Sequence, residues 1–73
     1  MAAMTERYDV VGRVGEVVTR IRGGDSPGEV CVTVHGVRET LIAYAEQGIE
    51  PHESVLIFRS RGARAVDVMP WQL

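Results

Sequence analysis

The sequence predicts an all-β domain of five short strands, and three observations carry that expectation. Valine dominates the apolar residues, while leucine and aromatic side chains are few. Branching at Cβ restricts χ1 and suits a pleated surface better than a helix. Eight glycines and three prolines are spread through 73 residues, as expected where tight turns join many short strands. Between Glu29 and His35 the chain alternates without a break: Val30, Val32 and Val34 face one way, and Glu29, Cys31, Thr33 and His35 the other.

The pattern predicts a loosely ordered lead-in over residues 1–8, a barrel over residues 9–70 and a short tail over residues 71–73. The first strand region is Asp9–Arg22, long and interrupted by Gly12 and Gly15. Glycine inside a strand marks a bulge or a sharp bend, and a long bent first strand is what closing a small barrel requires. The cluster from Gly23 to Gly28 is a turn. The second strand is Glu29–His35, and His35-Gly36 turns it into the third, Val37–Ala45. In the connection Glu46–Glu53, Gly48 and Pro51 leave no room for a helix, and Ile49 is placed to plug the barrel end. The fourth strand is Ser54–Ser60, Arg61-Gly62 is the next turn, and the fifth strand is Ala63–Met69, with Pro70 ending the pairing.

Parity places Val17, Ile21, Val30, Val32, Val34, Leu41, Ala43, Val55, Ile57 and Val68 inside. Five strands, a glycine-bent first strand and a longer third-to-fourth connection fit a five-stranded Greek-key OB-fold barrel. An SH3-like small barrel is the alternative, since strand count and loop position do not separate the two. A chain of this size has a small stability margin, which barrel closure or self-association would enlarge.

Composition narrows function. All eight basic residues are Arg, and the net charge is −2. Without Lys there is no lysine nucleophile or base and no P-loop lysine. A weakly acidic total gives no long-range pull toward nucleic acid or anionic lipid. The lone Cys31 excludes an internal disulfide. No apolar run reaches the ~20 residues that span a bilayer, and Met1–Thr5 lacks the features of a signal peptide. These features suggest a cytoplasmic setting, with membrane association arising through a partner or an upstream segment.

Cys31, His35 and His52 are the soft metal ligands of the chain. Cys31 and His35, four residues apart on one strand, stand ~13 Å apart, too far for one zinc ion. Ser26, Ser54 and Ser60 carry no nucleophile-elbow pattern. Neither a metal, a cofactor nor catalysis is expected. Arg59, Arg61 and Arg64 cluster at the fourth-to-fifth turn, and Arg20 and Arg22 flank the first-to-second loop. In an OB barrel those loops frame the ligand face, so the five form a candidate anion-binding rim. Arginines also decorate edges to block unwanted pairing, which is the favoured explanation of this cluster. Single-strand binding needs aromatic platforms, and the outer faces of strands two and three offer only Tyr44 and His35. Phe58 and Trp71 are expected to pack against apolar surface. Val18, Ile42 and Tyr44 face outward and form a candidate partner interface.

In order, the chain carries Gly12-Arg13-Val14-Gly15, Val17, Val18, Thr19 and Ile21, then Gly28-Glu29-Val30-Cys31-Val32, Gly36, Leu41-Ile42-Ala43, Ile49, Val55, Ile57, Gly62, Ala65 and Val68. This ordered set resembles the soluble C-terminal domain of NfeD-like membrane proteins. It departs where His52 replaces a usual Gly, where the loop Gly23–Gly28 is longer than usual, and where Ala63 or Ala65 replaces a usual Leu. The resemblance implies an OB-fold adaptor near a membrane, pairing with stomatin- or flotillin-like proteins or with itself. Binding of single-stranded nucleic acid or another anionic ligand through the Arg-bearing loops is the alternative.

Overall fold

The computed structural model describes residues 9–72; the lead-in at residues 1–8 and Leu73 lie outside the described residues. Five strands run in the order β1 (Val14–Thr19), β2 (Gly28–Val34), β3 (Val37–Tyr44), β4 (Ser54–Gly62) and β5 (Ala65–Pro70). They close into a barrel with the strand order β1-β2-β3-β5-β4. All neighbours are antiparallel except β3 and β5, which run parallel. One parallel pair in an otherwise antiparallel closed sheet of five is the OB topology.

Closure depends on β1 serving two neighbours. Glu16 to Thr19 pair with β2, whereas Val14 to Glu16 pair with β4. Gly15 sits at this handover, where a Cβ would stand 2.7 Å from the carbonyl oxygen of Cys31; only a residue without a side chain lets the strands approach so closely. At the opposite end of the β2–β3 hairpin, His35 and Gly36 both take positive φ, 52° and 80°, the two-residue turn whose twist matches that of the strands.

Every residue expected inside is buried, and Val10, Ala45, Ile49 and Val66 join them. Ile49 caps one end as expected, exchanging backbone hydrogen bonds with Ile21 at 2.9 and 3.0 Å.

Strands β2 and β3 match expectation to within one residue at each end, and the larger differences fall on β1, β4 and β5. The first strand is shorter, because Asp9–Gly12 forms a turn in which Gly12 takes φ 91° and donates to the carbonyl of Ile57 at 2.7 Å. This turn tucks Val10 into the core. The fourth strand continues through Gly62, and the turn falls on Ala63-Arg64, with Ala63 at φ 52°. Pro70 is the last paired residue of β5, opposite Val55, a strand-end position where its missing N–H costs little.

Candidate functional site

Four of the five rim arginines have partners among the described residues. Arg61 Nε donates to Asp67 Oδ1 at 2.9 Å, and Arg59 Nε lies 3.8 Å from Asp67 Oδ2. Asp67 is only 7% exposed, so its carboxylate is shielded from water and met by two guanidiniums. The hydrogen bond to Asp67 holds Arg61 above its ordinary pKa, against the opposing effect of desolvation. Arg20 pairs with Glu50 at 3.3 Å, and Arg64 donates to the carbonyl of Thr40 at 3.2 Å, on β3. Arg22 is exposed. The loop before β2 does reach the β4–β5 end, where Gly24, Asp25, Tyr44, Phe58, Arg61 and Asp67 border one depression. Its charges are mixed, with Asp25 and Asp67 facing Arg61. These residues form a self-neutralising cluster.

Of the candidate interface, Ile42 and Tyr44 share the outer face of β3, and Val18 lies across β2 from them. Val18 and Ile42 are exposed, but β2 runs between them, with Glu29 opposite both Thr19 and Ile42. Tyr44 is half-buried, with the Arg61 guanidinium 3.8 Å above its ring centroid.

A more continuous apolar surface lies on β4 and β5. The register of β4 shifts between Ile57 and Arg59, and such a bulge re-aims side chains. Phe58 and Arg59 are consequently both outside, with Phe58 45% exposed. Met69 on β5 is 43% exposed. Phe58, Met69 and Pro70 border an open groove of about 410 Å³ with Ala45, Glu46 and Gln47. Trp71, 39% exposed, continues the surface past Pro70 and borders a second depression with Ser54 and Glu53. Parity with Val55, Ile57 and Val68 already turns Phe58 and Met69 outward; the expectation that Phe58 and Trp71 pack against apolar surface is corrected, because no segment among the described residues covers them.

Cys31, His35 and His52 stand apart. Cys31 accepts from Arg38 Nε at 3.3 Å, His52 Nδ1 lies 3.3 Å from Glu16 Oε2, and His35 occupies the hairpin turn. Among the described residues no three His, Cys, Asp or Glu side chains gather where they could hold a metal ion. No helix among those residues is long and apolar enough to cross a membrane.

The family model of the NfeD C-terminal domain matches residues 14–69, from the start of β1 to Met69 near the end of β5. The chain belongs to this family. No curated protein and no solved structure matches it. The matched span covers all five strands, so the NfeD C-terminal domain here is the barrel itself, and the turn that carries Val10 precedes it. Two departures noted in the sequence can be placed on this domain. His52 occupies a left-handed position, φ 78°, the conformation glycine adopts most readily. The long loop after β1 forms a compact turn, with Gly23 and Ser26 bonded to each other through their backbones.

Proposed function

We propose that this domain is a non-catalytic adaptor whose contact face is the outer surface of β4 and β5 around Phe58 and Met69. The single observation that carries the reading is the exposed apolar groove, formed where Phe58, outward by its alternation with Val55 and Ile57, stands beside Met69 and Pro70. Exposed apolar surface of this kind marks contact sites, and an aromatic anchor in a groove can supply much of the binding energy. In keeping with the family, the partner is a stomatin- or flotillin-like protein, and the domain works in the cytoplasm, brought to the membrane by that partner or by an upstream segment. The mixed charges around Arg20, Arg59 and Arg61 count against the alternative of an anion-binding rim, as does a net charge of −2.

The test is affinity capture from the native source with the wild type and a Phe58→Ser/Met69→Ser double variant, both first shown to be folded. Enrichment of a stomatin- or flotillin-like protein by the wild type, lost in the double variant, is the expected result. Equal recovery by both would overturn the assignment of this face.

A further inference from the structure

A second concave site lies on another part of the barrel, where β1 parts from β2. Upstream of Glu16 the first strand turns away to pair with β4, while β2 continues through Val32 to Val34 with β3 alone beside it. The parting strands leave an open cleft of about 570 Å³. Arg13 borders it from the β1 side, and its Nη1 lies 3.5 Å from the carbonyl of Thr33. Arg38 borders it from the β3 side, directly opposite Thr33 in the β2–β3 register. Two arginines therefore border one stretch of the cleft wall, Arg13 beside Thr33 and Arg38 bonded to Cys31.

These cations differ from the rim arginines in their partners. Among the described residues, Arg20, Arg59 and Arg61 are ion-paired with carboxylates. Arg13 instead donates to the carbonyls of Asp9 and Thr33, and Arg38 to the thiol sulfur of Cys31. Those hydrogen bonds go to uncharged acceptors and orient each guanidinium through part of its donor set. Glu16 is the carboxylate on the cleft wall; its Oε2 lies 3.3 Å from His52 Nδ1, and its charge also acts on Arg38, so the two arginines leave the cleft lining one cation in excess.

We infer that this cleft binds a single oxyanion, a carboxylate or a phosphate group, between Arg13 and Arg38. The planar donor fork of arginine matches either group and binds it through charge-assisted hydrogen bonds. The net charge of −2 supplies no long-range attraction for a polyanion, so the ligand is one anionic group, not a nucleic-acid strand. This inference is independent of the β4–β5 contact face.

Nuclear magnetic resonance of the ¹⁵N-labelled full chain tests it, with sodium phosphate and sodium acetate titrated separately at constant ionic strength. Saturable shifts of the Arg13 and Arg38 Nε–H signals and of the Thr33 amide are expected with at least one anion. Response to phosphate alone assigns the site to a phosphate group, response to acetate alone to a carboxylate, and response to both to either oxyanion. Arg38→Gln, at an exposed position where the spectrum itself reports folding, should weaken the response about tenfold or more. Arg20→Gln should leave it unchanged. Linear, unsaturated shifts with both anions, or an undiminished response in Arg38→Gln, would overturn the inference.

Discussion

Arg61 holds its guanidinium over the ring of Tyr44, 3.8 Å from the centroid, while donating to Asp67 at 2.9 Å. The three residues come from β4, β3 and β5. They reinforce the barrel where β3 and β5 pair in parallel over only Ile42 to Tyr44. A cation stacked on a ring and bonded to a shielded carboxylate cross-links strands that share few backbone bonds. Tyr44 thus contributes to the wall of the barrel.

Asp67→Ala should therefore destabilise the domain by about 1–3 kcal/mol, the cost of losing charge-assisted bonds at a buried acceptor. Urea denaturation of wild type and variant measures it. Tyr44→Ala should also lower the midpoint. A midpoint unchanged in both would show that the clamp contributes nothing.

Val32→Asp should abolish cooperative folding. Val32 is 2% exposed in the centre of β2, and an unpaired carboxylate there costs several kcal/mol against a total of about 5–15 kcal/mol. Thermal unfolding followed by circular dichroism decides it; a sharp transition near the wild-type temperature would contradict the register.

Gly28→Ala should cost at least about 1–3 kcal/mol, in the range of overpacking. Gly28 is buried where β2 begins, and a Cβ there would collide with the carbonyl oxygens of Thr19 and Arg20, which are backbone atoms that cannot turn aside. Chemical denaturation should show the loss, and wild-type stability would mean that the start of β2 yields easily.

His52→Gly should act in the opposite direction. A non-glycine residue in the left-handed region costs about 1–2 kcal/mol, and glycine returns roughly 0.5–1 kcal/mol of that as chain entropy. The pair with Glu16 is exposed and contributes little. The net gain, up to about 1 kcal/mol, should raise the melting temperature by a few degrees. A lower melting temperature would show that the contact with Glu16 outweighs the strain.

Much of the barrel was legible because period-2 patterning is a local property. Val30, Val32 and Val34 declare their face without reference to anything outside β2, and His35-Gly36 declares its turn. What escaped depends on relations between distant segments. Val10 is buried because a turn at Gly12 bonds to Ile57, and a glycine in sequence does not say whether it bends a strand or ends it. Ala63 at positive φ carries no turn signature, so the sequence points to a turn two residues early, at Arg61-Gly62. The rim arginines read as a cationic cluster because Asp67, the group that neutralises two of them, becomes their neighbour only through the β4–β5 register. Arg13 and Arg38 lie 25 positions apart in the chain, so nothing local hinted that they share a cleft.

The handover of β1 from β2 to β4 also governs how the domain reaches its native state. The β2–β3 hairpin turns within two residues and can form in ~1–10 μs. The seam of Val14 against Leu56 must await the ordering of nearly everything between them, since chain entropy is lost before that contact is gained. Folding on a millisecond-to-second timescale follows for a topology of this kind. Until the seam closes, β1 and β4 each present an unpaired edge of matching register. At high concentration, exchange of β1 between two molecules is then the natural competitor of intramolecular closure.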